Sequence, residues 1–298
     1  RAARITRTAI SPRLAIRIFV SGLRGTSDNV VGMDTPNATS NDANLPGVSH
    51  PGEIFRAAEV VAGGWNVRWI ASTGSTNDDL LAAARAGAAD RVVLVADHQT
   101  AGRGRLDRRW DAPTGANLLV SMLFRTVPDH PHALTHAVAL AAAEASAQVA
   151  GVTPDLKWPN DLLVEGAKLA GILSSAGPPQ GTPPRPSFVV VGLGLNVGWA
   201  PDGAECLANV ASRVVDRDQV LVALLASLDG LLASSDEQLH ARYREHLSSL
   251  GREVRVELPN DRFVEGRALD VEDDGRLVVL DSCGVTHRLD VGDVVHLR

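Results

Sequence analysis

The chain has 298 residues, 45% of them hydrophobic, and a formal net charge of -6 at pH 7. That is enough apolar material to bury one large domain and a small one, while the acidic balance excludes a general nucleic-acid or membrane-surface binder, which needs a basic surplus to release counterions or meet anionic lipid. Cys206 and Cys283 are the only cysteines; far apart and outside any Cys-x-x-Cys arrangement, they indicate neither a disulfide framework nor a zinc knuckle, and a reducing cytoplasm fits best.

In chain order, residues 1–27 hold six arginines and no acid. This is the composition of an organelle transit peptide or of a disordered extension ahead of a shorter protein opening at Met33. The second reading is adopted, and residues 1–50 are set apart from the fold because Asn, Ser, Gly and Pro dominate Thr35 to Gly52. No run is long enough for a membrane span. A helix is predicted over Glu53 to Ala62 and a short strand over Asn66 to Ile70. Ser75 then offers an N-cap, with Asp78 three residues on to close it and Gly87 to stop the helix. β-branched and apolar runs predict strands over Arg91 to Ala96 and Asn117 to Phe124.

Pro131 to Ala150 is helical in composition, Asp155 to Trp158 is a short strand, and Asp161 to Val164 with Lys168 to Ser175 form a hairpin about Glu165-Gly166. A Pro-rich break follows at Gly177 to Pro186, then an apolar strand over Ser187 to Leu195 and two helices within Asp216 to Leu250. From Glu253 onward short strands alternate with turns such as Pro259-Asn260-Asp261 and Asp273-Asp274-Gly275, which predicts a small β barrel. The fold class is therefore α/β in the α+β sense, a mixed sheet with packed helices, in preference to a doubly wound parallel sheet. The expected divisions are a disordered extension over 1–50, a ligand-binding domain over 51–250 and the barrel over 251–298.

Between the second and third strands lies Gln99-Thr100-Ala101-Gly102-Arg103-Gly104-Arg105, with Arg108 and Arg109 close behind. Guanidinium forks on a backbone freed by Gly102 and Gly104 can wrap a phosphoryl group. Trp110 either stacks on a base or anchors the loop in the core. No Gly-Lys-Ser/Thr follows, so this is not a P-loop, and Gly192-Leu193-Gly194-Leu195-Asn196 lacks the third glycine of a dinucleotide fingerprint. Those two glycines either admit a ligand to the backbone or tighten strand packing. Lys157 and Lys168 flank apolar segments where screening is weak and an anionic partner is valuable. Pro159 fixes a bend between Lys157 and the Asn160-Asp161 pair, so that a cation and a carboxylate can face one cleft; Asp161 either holds Mg²⁺ or caps a turn. His130, His132 and His136 match no zinc spacing.

Ser75-Thr76-Asn77, Gln99 with Gly102 to Arg105, Lys157 to Asp161, Lys168 to Leu173 and Gly192 to Asn196 together resemble, in order and spacing, the motif series of biotin protein ligases. The resemblance implies a catalytic domain of the class II aminoacyl-tRNA synthetase and biotin ligase type with an SH3-like C-terminal barrel. It implies that biotin and MgATP condense to biotinyl-5′-adenylate, which is passed to a lysine of a biotin carboxyl carrier protein domain of an acyl-CoA carboxylase, by a monomer or homodimer. By this similarity Lys168, Arg103 and Arg105 are catalytic, and Ser75, Thr76, Asn77, Gln99 and Gly104 join them in contacting biotin. Arg108, Trp110, Lys157, Asn160 and Asn196 fall on the nucleotide side, and Asp161 toward Mg²⁺. Nothing before Glu53 has the periodicity of the DNA-binding helices that some relatives carry, so a repressor role is not expected. Lipoate attachment and non-catalytic binding are the rival readings.

Overall fold

The computed structural model describes residues 64–297 except 107 and 212; the expectations for residues 1–63 lie outside it. A seven-stranded sheet forms the centre, built from β1 (Asn66–Thr73), β2 (Val92–Gln99), β3 (Leu118–Phe124), β4 (Asp155–Lys157), β5 (Asp161–Val164), β6 (Ala167–Ala176) and, after the two-residue strands β7 (Pro179–Gln180) and β8 (Arg185–Pro186), β9 (Val189–Leu195). Its order is β1-β2-β3-β9-β6-β5-β4. Among neighbouring strands of this sheet only β1 and β2 run parallel, and the crossover between them is a helix, α1 (Thr76–Arg85). Every other neighbouring pair in it is antiparallel, so the sheet is mixed, as expected.

Strand alternation sorts the side chains. From β2, Val93 and Val95 join the main core beneath α2 (Ala133–Ala150), while Val92, Leu94 and Ala96 join a second cluster beneath α1. Both faces of β2 are covered from Val92 to Ala96, which is why that part of it reads as an unbroken apolar run. Its neighbour α2 is buried nearly all round, as its alanine-rich composition requires, packed between the sheet and α4 (Arg217–Leu232), with α5 (Asp236–His246) beside it. On the opposite face α1 spans only 10 residues, about 15 Å, and packs on β3 and β9. Beyond its N-terminal end the sheet is left uncovered by helix, and a cavity opens there.

The hairpin joining β5 and β6 turns at Glu165 (φ 52°) and Gly166 (φ 81°), both left-handed as a two-residue turn demands. Short α3 (Leu207–Val210) follows β9. Ser235 caps α5 in a reciprocal capping box with Gln238. The C-terminal part is a five-stranded antiparallel sheet of β10 (Glu253–Leu258), β11 (Arg262–Val271), β12 (Leu277–Leu280), β13 (Thr286–Leu289) and β14 (Asp293–His296), ordered β13-β12-β11-β10-β14. Val254, Val256, Ala268, Leu277, Val279 and Val294 from this sheet belong to the same buried cluster as Leu156 and Trp158 of the large domain. No helix among the described residues is long and apolar enough to cross a membrane.

Candidate active site

The floor of the cavity is laid where β1 runs into α1. Ser75 is extended (φ -159°) and caps the helix by accepting from the Asp78 amide, so Ser75, Thr76 and Asn77 are buried at its N-terminal end. The Thr76 amide and hydroxyl both donate to Gln99 Oε1, at 2.8 and 3.0 Å. With its single proton so used, Thr76 Oγ1 accepts from Ser121 Oγ at 2.8 Å. Asn77 Nδ2 donates to Leu173 O and Ser175 Oγ, each at 3.4 Å. Asn77 Oδ1 is buried and has no hydrogen-bond partner among the described residues; such an atom calls for a donor from a ligand.

The walls are made by β6 and β9. Alternation turns Leu193 and Leu195 into the core and leaves Gly192 and Gly194 facing the cavity, with Gly171 opposite on β6. Their lack of a side chain makes room for Trp110: a Cβ at Gly194 would stand 2.4 Å from its ring, and one at Gly171 would stand 3.0 Å from it. A Cβ at Gly192 would meet Ser121 Oγ at 3.2 Å. Both earlier readings of these glycines meet here, since tight packing and an open backbone serve one pocket. Trp110 lies over the strands, its Nε1 buried with no partner among the described residues, and Lys168 Nζ stands 5.7 Å from its ring centre.

The arginine loop folds back on itself. Trp110 N donates to Gly102 O at 2.9 Å and Gly104 N to Arg108 O at 2.7 Å. Gly102 is obligatory, because a Cβ there would fall 2.3 Å from Trp110 O. The guanidinium groups are spoken for by carboxylates: Arg103 pairs with Asp78, Arg108 with Asp293 at 2.6 Å, Arg109 with Asp111 at 3.0 Å, and Arg105 with Asp293 at 3.4 Å. The reciprocal cap expected of the Asp78 side chain is thus replaced; its carboxylate holds Arg103 because a guanidinium is the stronger partner.

Lys168 is fixed at the backbone, its carbonyl accepting from Glu205 N at 2.9 Å and from Asn196 Nδ2 at 3.5 Å. Its ammonium pairs with Asp161 Oδ1 at 2.7 Å. Beneath the site the Tyr243 hydroxyl is raised well above the ordinary phenol range, by burial first and by the Asp161 charge second. Asn160 donates to Ile172 O at 2.6 Å and accepts from Arg105 at 3.3 Å. The Asn196 amide also donates to Glu205 O and accepts from Asn117 Nδ2, both at 3.1 Å, so its polar atoms are engaged within the protein.

These elements enclose a cavity of about 330 Å³, the size of a small-molecule site. Around it stand Ser75, Thr76, Asn77, Gln99, Arg103, Gly104, Arg105, Arg108, Trp110, Asn160, Asp161, Lys168 and Asn196, all singled out in the sequence. Lys157 does not line it: at the third residue of β4 it lies at the sheet edge, and its charge is felt by His296, whose imidazole is held below its ordinary range by burial, then Arg252, then Lys157. Sequence reasoning missed Ser121 and Asp293. Ser121 had a signal, being the one polar residue in the apolar run of β3; Asp293 had none, because only the fold brings the last strand to the loop. Among the described residues no group of three or more His, Cys, Asp or Glu could hold a metal ion.

The sequence model of the biotin/lipoate A/B protein ligase family matches residues 69–196, and that of the biotin protein ligase C-terminal domain matches residues 249–297. The biotin--[acetyl-CoA-carboxylase] ligase of Mycobacterium tuberculosis is 43% identical over 77% of this chain and 88% of its own length. The bifunctional ligase/repressor BirA of Bacillus subtilis is 31% identical over 72% of this chain and 69% of its own. Among solved structures, the biotin protein ligase from Aquifex aeolicus in complex with biotin and ATP superposes with a TM-score of 0.65 at 24% identity, covering 78% of this chain and 98% of that one, a likeness of fold. With a relative this similar over nearly its full length and both signature segments matched in order, the chain belongs to the biotin protein ligases of the biotin/lipoate A/B protein ligase family.

Proposed function

We propose that the chain activates biotin with ATP as biotinyl-5′-adenylate and transfers the biotinyl group to a lysine of the biotin carboxyl carrier domain of an acyl-CoA carboxylase. The observation that carries this reading is the meeting, in one cavity, of an unpartnered buried carbonyl (Asn77), an ammonium (Lys168) and a loop of four arginines. Adenylation brings a carboxylate against a phosphate. A carboxylate oxygen of biotin attacks the α-phosphorus, the bond from that phosphorus to the bridging oxygen breaks, and pyrophosphate leaves with the electron pair. The two reactants repel, so catalysis needs cations whose hold tightens as charge gathers on the α-phosphoryl oxygens. Lys168 is the cation at the junction of floor and loop, and in this reading it exchanges Asp161 for the carboxylate and α-phosphate. Arg103 and Arg105 lie over the adenylate and keep water from it. In the second step the neutral ε-amine of the acceptor lysine attacks the acyl carbon, AMP leaves, and the amine loses a proton.

Biotin's ureido ring offers N–H donors to Asn77 Oδ1 and an oxygen to the hydroxyl and amide groups of the floor. The dithiolane of lipoate offers neither, and would leave buried polar groups unpaired at a cost of roughly 1–3 kcal/mol each. Mg²⁺ suits this site as an ion carried in by the triphosphate, since Asp161 is a single carboxylate and among the described residues no further His, Cys, Asp or Glu completes a cage around it. Bound there, it would neutralise the departing pyrophosphate. The division proposed is a catalytic part over 51–250 and a barrel over 251–298, acting in the cytoplasm as a monomer or homodimer. Biotin-dependent exchange of labelled pyrophosphate into ATP tests the first step; folded protein without exchange would overturn the reading, and exchange supported by lipoate alone would move it to the rival ligase.

A further inference from the structure

The C-terminal sheet places one residue in the cavity wall, Asp293, at the start of β14. Its carboxylate is only about one-fifth exposed (21%) and takes two loop arginines at once, Arg108 at 2.6 Å and Arg105 at 3.4 Å. Arg105 Nη1 also donates to the Gly292 carbonyl at 3.2 Å and to Asn160 Oδ1 at 3.3 Å, so the guanidinium sits among oxygens from the turn before β5 and from the turn and strand at β14. The approach depends on Gly292: at φ +146° a side chain is strained, and a Cβ would strike Val256 Cγ1 at 2.5 Å. Among the three oxygens around Arg105, Asp293 carries the only charge. Without it Arg105 and Arg108 would face each other with their repulsion uncompensated, on a loop whose exposed tip residue Leu106 adds no buried anchor.

We propose that Asp293 is a positioning residue of the ligase reaction: through Arg105 and Arg108 the C-terminal sheet holds the arginine loop against the mouth of the cavity, and so limits escape of the adenylate before the acceptor lysine arrives. The second half of this statement rests on the adenylation reading; the first does not. Holding is a matter of charge and reach, so glutamate replaces aspartate with partial effect and asparagine does not.

The test uses the full chain as Asp293→Asn, Asp293→Glu and, as a control removing the same charge from an exposed neighbouring position, Asp290→Asn. Without any substrate, trypsin cleavage after Arg105 and Arg108 is followed by mass spectrometry. It is expected to be about 5-fold faster in D293N, the scale of one partly buried ion pair, near wild type in D290N and intermediate in D293E. Raising salt to about 0.5 M should accelerate cleavage in the wild-type protein, relative to trypsin turnover of a small peptide, and leave D293N unmoved. With biotin and ATP but no carrier, AMP released per pyrophosphate exchanged should rise by a similar factor in D293N. Equal loop cleavage in D293N and wild type, or a salt response shared by both, would overturn the holding role. Faster cleavage with an unchanged ratio of AMP to exchange would overturn the link to adenylate retention. Absence of exchange in the wild type would strike the adenylation reading and leave the loop comparison to be judged by itself.

Discussion

Lys168 and Gly194 carry opposite kinds of necessity. Lys168 supplies charge at the reacting atoms: Lys168→Ala is expected to lower pyrophosphate exchange by about 10²–10³-fold, the usual cost of one preorganised transition-state contact, with an unchanged circular dichroism spectrum. Gly194 supplies absence. In Gly194→Ala the new methyl would meet the Trp110 ring at 2.4 Å, and displacing the indole should raise the KM for biotin at least about 10-fold and lower the melting temperature, since overpacking costs roughly 1–3 kcal/mol. Adding Trp110→Ala should restore the melting temperature without restoring KM. The residues around the cavity were largely legible in the sequence because their chemistry is conspicuous: glycines in a strand, arginines between glycines, a lysine leading an apolar run. What stayed hidden were choices between partners. Asp78 reads equally well as a cap closer and as an arginine's counter-ion, and only the distance to Arg103 decides.

At the scale of elements, the helices and strands were legible wherever local chemistry and burial agree. Ser75 and Gly87 bound α1, and Glu165-Gly166 turns the hairpin at the expected residues. β1 runs three residues past the expected end because its pairing with β2 extends to Thr73 and Gln99, a property of the partner strand. The C-terminal end of α1 shows a contact equally remote in sequence. Arg125, on leaving β3, donates from Nη2 to Ala84 O at 2.7 Å and from Nε to Ala88 O at 2.5 Å, serving the end of the helix where cations are favoured. Arg125→Ala should cost about 1.5–3 kcal/mol, the range for hydrogen bonds to a charged group, read by urea denaturation. Because α1 presents the cavity floor from its other end, the KM for biotin should rise only modestly.

Across the whole molecule, a line of histidines joins the parts. His136, stacked on Tyr243 at 3.6 Å, neighbours His132 at 5.0 Å and His240 at 6.3 Å, and His132 lies against Gly275 of the C-terminal sheet. Burial, then the neighbouring imidazoles, holds His136 well below its ordinary value of 6.5, and burial foremost lowers His132. His132 and His136 therefore take up protons less readily in the folded chain than in the unfolded one, so the unfolded state gains as pH falls. The stability they secure is present above about pH 6.5 and drains away below it. The melting temperature should therefore decline between pH 7 and 5.5, and His136→Phe, which keeps the stack, should flatten that slope; an unaltered slope would remove His136 from the account.

The single buried cluster that runs from Leu156 and Trp158 into Val254, Val256 and Val294 has a practical corollary for protein engineering. Severed at the joint between α5 and β10, the chain would yield two fragments each presenting raw hydrocarbon to solvent, and calorimetry of the intact molecule should record one endotherm instead of two. Chimeras that borrow a C-terminal sheet from another ligase would have to bring its seat along, the pair Leu156 and Trp158, or graft onto a mismatched socket.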